Sequence, residues 1–319
     1  IESRAKPLCD IPPMTKGNQP TDNGNFILTE HERDAIIHDT PELSQYIRRY
    51  VGARDFINSN EVRYCLWLKD ASPAVYRKNN EVMRRIAAVR DFRLASSAAP
   101  TRKMAEQPWR FFSTPQRDGI YLAIPEVSSE RRQYIPIGFM DSAIIASNKL
   151  LIVSDATLYH FGVLTSSVHM AWMRAVAGRL KSDYSYSGAI VYNNFPWPGG
   201  VNVANVKILP MANTNSQLET GNIGTGNNST LATISRTAQA ILDARAAHPG
   251  CSLADLYDPL TMPPDLRAAH EANDRAVLAA YGLAAGTPEP EIAAHLFRLF
   301  REMAKLYTST ATDTNGKIP

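Results

Sequence analysis

Apolar residues recur at two different periods along this chain. Val82, Ile86 and Val89, with Met83 beside them, follow helical spacing and predict an amphipathic helix over about 79–95 whose polar side carries the arginines. Phe161, Leu164, Val168, Trp172 and Val176 predict a second helix from near Tyr159 to Val176, with Gly178 placed to end it. Short apolar runs between turn or charged residues predict strands at Arg63–Leu68, Ile120–Ile124, Tyr134–Phe139, Ile144–Ile145, Leu150–Val153 and Ala189–Tyr192. Thr29, followed by Glu30 and Glu32, predicts the N-terminus of a short helix over about 30–37. Beyond about residue 231 the pattern is alanine-rich and helical, with pieces separated by Pro249, Pro259, Pro263, Pro264 and Pro288.

These elements describe an α+β fold. A twisted, mainly antiparallel sheet is expected, flanked by helices and followed by a helical C-terminal subdomain. Residues 1–60 read as an irregular, turn-rich opening segment, 61–210 as the main domain and 231–319 as the helical subdomain. Residues 211–230, rich in Asn, Thr, Gly and Ser, read as a flexible linker.

Composition narrows the class further. With 44% hydrophobic and 20% charged residues the chain can bury a core, and no apolar run reaches the roughly 18 residues that cross a bilayer. Cys9, Cys65 and Cys251 are too far apart for a Cys-x-x-Cys metal site or a disulfide framework, so a reducing cytoplasm is expected, with Cys65 in the core. The chain opens Ile1-Glu2-Ser3-Arg4 with neither an initiator Met nor a signal sequence, which points to a piece of a longer protein. Net charge is only +3, but basic residues gather at Arg84, Arg85, Arg90, Arg93, Arg102 and Lys103, then at Arg131 and Arg132, then at Arg174, Arg179 and Lys181. Each cluster reads either as a solvated helix face or as part of a polyanion site.

Familiar catalytic patterns are missing. The chain has no phosphate loop, no dinucleotide fingerprint, no HExxH and no GxSxG. His160 and His169 are nine apart, hence on different sides of one helix, so one is expected to pack and the other to be exposed. Asp10-Ile11-Pro12-Pro13-Met14 and Asn193-Asn194-Phe195-Pro196-Trp197-Pro198 look superficially like the motif that grips a flipped base in amino-methyltransferases. The first has an intruding Ile and no aromatic residue; in the second Trp197 separates the prolines. Neither is a catalytic motif. Glu126 and Glu130 lack the neighbouring lysine of a nuclease site and read as loop acids.

One long stretch carries a resemblance. GIYLAIPEVSSERRQYIPIGF from Gly119 and ATLYHFGVLTSSVHMAWMRAVAGRLKSDYSYSGAIVYNNFPWP from Ala156 resemble the MmeI-like DNA methyltransferases and single-chain restriction–modification enzymes. The likeness extends upstream through GNQPTDNGNFILT and RYCLWL, and downstream to SLADLYDPLTMPPDLRAAHEANDRAVLAAYG. The resemblance implies a target-recognition domain with a C-terminal helical region. It implies double-stranded DNA as partner and an upstream adenine-N6 methyltransferase domain, outside this chain, that holds S-adenosylmethionine. No cofactor, no metal, no membrane and no catalytic residue are expected here.

The site residues follow from both readings. Gly178 to Ser187 is polar and tyrosine-bearing, held between an apolar helix and an apolar strand, so it can present side chains rigidly. A donor for guanine and an acceptor for the cytosine amine together read a G·C pair. Lys181 and Asp183, two apart in an extended segment, would project to one side and supply both. From composition alone a plain surface ion pair, worth about 0–1 kcal/mol, is the favoured reading of the two. The resemblance implies base reading at Lys181, Asp183, Ser185 and Lys149, whose counterparts vary with the DNA sequence recognised. Arg102, Lys103, Arg131, Arg132, Arg174 and Arg179 are the phosphate-binding candidates, with Ser96, Ser128 and Ser129 as neutral helpers and Arg179 also placed to support the loop from behind. Trp172, Tyr192, Phe195 and Trp197 read as core packing. A protein-docking module and an enzyme with an unrecognised site remain the alternatives.

Overall fold

The computed structural model describes residues 1–59, 61–198 and 225–313. The chain divides into two compact units: Thr15–Pro125 with Phe139–Ser154, and Ile1–Met14 with Glu126–Gly138 and Asp155–Pro319. It is a mixed α+β fold whose strands form three short sheets among the described residues, rather than one continuous sheet.

The first unit begins with β1 (Met14–Lys16), β2 (Ile27–Leu28), α1 (Glu30–Asp39), β3 (Ile47–Val51), α2 (Ala53–Asn58) and β4 (Arg63–Leu66). Helices α3 (Pro73–Tyr76), α4 (Asn80–Leu94) and α5 (Ala99–Lys103) follow, then β5 (Tyr121–Pro125). After β6 (Val127–Ser128), which belongs to the second unit, β7 (Gly138–Met140), β8 (Ile144–Ala146) and β9 (Leu150–Ser154) complete it. One sheet has the order β2-β4-β3-β8, with β4 antiparallel to both neighbours and β3 parallel to β8. The other has the order β1-β9-β5-β7, with β5 and β9 antiparallel from Tyr121 opposite Ser154 to Pro125 opposite Leu150.

Capping sets the helix starts. Thr29 and Glu32 form a reciprocal capping box on α1, its Thr29 N–H donating to the Glu32 carboxylate at 2.8 Å. Asn79 accepts from Val82 N–H at the start of α4. The apolar stripe of α4 packs Val82, Ile86 and Val89 on Phe26, Leu66 and Phe111, and Cys65 is buried in the same core. Here the expectation of arginines confined to the polar side fails: Arg85 and Arg93 lie on the stripe and are buried. Arg85 reaches the carboxylates of Glu81 and Glu32, and Arg93 donates to five backbone carbonyls. A guanidinium has five N–H bonds, so the loops around Arg93 satisfy it completely without any acid.

In the second unit β6 joins the hairpin of β10 (Gly178–Leu180) and β11 (Asp183–Ser185) in a sheet of order β10-β11-β6. The expected single helix over 159–176 is two, α6 (Leu158–Leu164) and α7 (Ser167–Val176). Ser166 divides them by donating its hydroxyl to Val163 O at 2.7 Å while capping His169 N–H. The break turns both histidines inward: His160 and His169 are each buried, and neither is exposed as expected. Ala189–Tyr192 is not a strand either. Residues 188–192 wind as one π-helical turn, closed by Asn193 N–H on Gly188 O and capped by Ser187 on Ile190 N–H. A short apolar run fits a buried turn as well as a strand, and the capping serine decided between them. Asn194 then donates to the Glu2, Ala189 and Ile190 carbonyls, which gives that amide a structural task. Trp172, Tyr192, Phe195 and Trp197 are all core residues.

The C-terminal helices α8 (Thr225–Ala246), α9 (Leu253–Leu256), α10 (Pro264–Ala280) and α11 (Glu289–Asp313) belong to this same unit. Of the linker expected at 211–230, the part up to 224 lies outside the described residues, and α8 begins at Thr225. At Gly162 of α6 a Cβ would come within 2.8 Å of Ile234 and 3.1 Å of Ala238, and Asn273 of α10 donates to Gly162 O at 2.8 Å. The missing side chain is what lets α6, α8 and α10 approach so closely.

Candidate functional site

The hairpin β10–β11 has two unlike faces because its register pairs Arg179 with Tyr184 and Leu180 with Asp183. The Arg179 guanidinium stacks on the Tyr184 ring at 3.7 Å and donates to Ser182 O at 2.7 Å and to Glu130 at 3.3 Å. Tyr184 is buried, and β11 is held from the other side by β6. Asp183 and Ser185, two apart on β11, therefore share the face opposite Tyr184 with Leu180, an apolar side chain 58% exposed.

Lys181 departs from the sequence expectation. It stands in the two-residue turn, not in an extended segment, with φ of +57°. The turn carries it out past the strands, exposed, and among the described residues it forms no ion pair with Asp183 or any other acid. Asp183 instead accepts from Glu130 N–H at 3.4 Å. A surface Lys–Asp pair is thus not what these two residues make.

Lys149 belongs to the first unit. It too sits exposed in a tight turn, between Ser147 and Leu150, where Leu150 N–H donates to Ser147 O at 2.9 Å. A buried amide pair stiffens that turn: Asn18 donates to Gln116 at 2.7 Å and to Ala146 O at 3.0 Å, while Gln116 accepts from Ala146 N–H. At Gly17 a Cβ would sit 2.2 Å from Ser147 O, so only glycine lets the two backbones meet there.

The phosphate-binding candidates separate by what already holds them. Arg102 and Lys103 end α5 in the first unit, with Arg102 donating to Ser96 O and Ser97 O. Those bonds use the Ser96 backbone, and Ser128 is buried in β6 opposite Tyr184, so Ser128 is not an exposed helper. In the second unit Arg174 is bound to Glu289 at 2.7 Å and to Gln133 O at 3.1 Å. Arg131 and Arg132 lie on the turn that follows Ser129. Arg132 is half-buried, and burial lowers its pKa against the opposing charges of Asp183 and Asp258. Arg131, Arg132 and Arg174 border a cavity of about 200 Å³ together with Arg267 of α10. Sequence reasoning missed Arg267 and Leu180: Arg267 stands outside the basic clusters, Leu180 is an apolar residue within one, and only the folding of the chain gives them their neighbours.

No group of three His, Cys, Asp or Glu among the described residues is arranged to hold a metal ion, and none of the described helices is long and apolar enough to cross a membrane. The profile of the MmeI target recognition domain matches residues 1–199, and that of the MmeI C-terminal domain matches residues 226–308. The chain belongs to the MmeI family. It is similar to the solved structure of the Type IIL restriction–modification enzyme MmeI in complex with DNA, at 42% identity and a TM-score of 0.83, over 95% of this chain and 37% of that one. It is also 35% identical over 305 residues to DNA methyltransferase A of Bacillus subtilis (strain 168), covering 96% of this chain and 32% of the relative. The chain thus spans about a third of the length of these two proteins.

Proposed function

We propose that this chain is the DNA-recognition module of a restriction–modification type DNA methyltransferase, and that its hairpin β10–β11 reads base edges. The observation that carries the site assignment is the hairpin's asymmetry: one face is pinned by the Arg179–Tyr184 stack, which leaves Asp183, Ser185 and the tip residue Lys181 on the open side. Lys181 donates to guanine, Asp183 accepts from the cytosine amine, and Ser185 serves either role. Lys149 reads bases from its own turn. Arg102, Lys103, Arg131, Arg132 and Arg174 neutralise backbone phosphates and set register without carrying sequence information. Arg179, already engaged three ways, acts chiefly as the hairpin's support.

In this reading the module is not itself catalytic. It places a target adenine for N6 methylation by a separate methyltransferase domain that binds S-adenosylmethionine, in the cytoplasm. The test is selection of randomised duplexes by the chain at low salt, followed by titration of the winners against salt. Enrichment of one short motif is expected. Binding with no enrichment removes the base-reading assignment, and no duplex binding at any salt removes the function.

A further inference from the structure

We propose that the cavity bordered by Arg131, Arg132, Arg174 and Arg267 is a seat for a single DNA phosphodiester, and that α10 thereby makes the C-terminal helices part of the DNA-binding surface. The inference rests on the DNA-reading function above and adds a site and a participating region to it.

The cavity gathers guanidinium groups from three elements, the turn after Ser129, α7 and α10. Like charges so placed repel, so a cluster of this kind is stable only where acids or a bound anion offset it. The acids in reach account for only part of the charge. Glu289 takes Arg174 and Glu130 takes Arg179, while Asp183 and Asp258 act on Arg132. Arg131 and Arg267 have neither an ion pair nor a side-chain hydrogen bond among the described residues. Two planar forks without a partner, beside two that are positioned by acids, match the oxygens of a phosphodiester better than any neutral ligand.

The floor is rigid enough to hold them. Tyr134 is buried, donates to Asp274 at 2.7 Å, and stacks on the His270 ring with centroids 4.1 Å apart. Tyr257 is buried between Arg245 and His270 Nε2, the latter at 2.8 Å. Both partners, His270 and Asp274, belong to α10, the helix that also carries Arg267. Position relative to the hairpin gives the seat its use. Glu130 lines the cavity, accepts from Arg179, and donates its N–H to Asp183. A phosphate held here would set the distance between the DNA backbone and the base-reading face, which is how a sequence-independent contact fixes register.

The experiment compares the chain with its Arg267→Gln and Arg267→Lys variants. Binding of one fluorescent duplex is followed by anisotropy across a salt series, and thermal unfolding is recorded for each protein. Because Arg267 makes no side-chain bond among the described residues, both variants are expected to keep the parent's melting temperature. Arg267→Gln is expected to weaken binding to every duplex alike and to reduce the slope of log K against log salt by about one. Arg267→Lys is expected to retain most of that slope. A Gln variant with unchanged affinity and slope, in a chain that otherwise binds duplex, overturns the seat and leaves the reading function standing. Equal weakening in both variants together with a lower melting temperature makes Arg267 structural and also overturns it. If the parent chain shows no salt-sensitive duplex binding, the function and the seat fall together.

Discussion

Arg93 and Arg131 are both arginines in basic stretches of the sequence, yet one is consumed by the fold and the other is left open. Arg93 spends all five donors on the carbonyls of Pro20, Thr21, Met104, Gln107 and Arg110. Arg93→Lys offers three donors at most and strands buried carbonyls, so it is expected to lower stability by at least about 2–3 kcal/mol. A shift of the urea midpoint to lower concentration at unchanged slope reads this out, and an unmoved midpoint would refute it. Lys181 and Asp183 lie at the opposite extreme, with no ion pair between them to lose. Exchanging the two is expected to change preference at one base pair by about 1–3 kcal/mol and to leave affinity for unrelated duplexes nearly intact. Equal weakening on all sequences would mean that these side chains read no base.

At the scale of the element, the hairpin matters because it is short. Three residues per strand give few ladder bonds, so its geometry depends on what the side chains add. Arg179 supplies a cation–π contact worth about 0.5–2 kcal/mol and a bond that closes the turn at Ser182. Arg179→Ala is therefore expected to narrow the affinity gap between the selected duplex and single-base variants while the salt slope stays as it was. Competition binding at two salt concentrations distinguishes the outcomes: a slope lower by about one would instead make Arg179 a phosphate contact. The π-helical turn at 188–192 is an element that periodicity misread, because the length and composition of Ala-Ile-Val-Tyr suit a strand. The Asn194 amide ties the turn to the first residues of the chain by donating to Glu2 O, a neighbour that no local window contains.

Across the whole molecule, buried imidazoles tie stability to pH. Burial pushes His160 down to about 4 and His169 down to about 3, and it lowers His270 well below the usual value. These rings are neutral in the fold and bind protons once unfolded. The unfolded chain therefore gains protons as pH falls below about 6.5, and stability falls with it, by up to about 1.4 kcal/mol per pH unit for each ring. The loss continues until each folded-state value is reached. Asp274, whose carboxyl burial raises, offsets part of this at the acid end. Urea midpoints are expected to hold near pH 7.5 and to fall as pH drops from about 6.5 to 5, and a midpoint constant over that range would count against neutral burial. The same unit contains α6, α7 and the C-terminal helices, so Gly162→Val, which forces a branched side chain into the α6–α8–α10 contact, is expected to cost about 1–3 kcal/mol by thermal melting.

Thr29 with Glu32, the stripe of Val82, Ile86 and Val89, and the strands at 121–125 and 150–154 were legible in the sequence because caps and periodicity are local. So was the recognition family, through long strings rich in Trp, Tyr and Pro, and with it the polar stretch that became the hairpin. Tertiary structure alone decided which charges remain available. Arg85 and Arg93 are claimed by partners 4 to 73 positions away, whereas among the described residues Arg131, Lys181 and Arg267 are not. Charge clustering along a chain records where arginines are, but desolvation and hydrogen-bond partners determine what each can bind, and those are set by residues that meet only when the chain is folded.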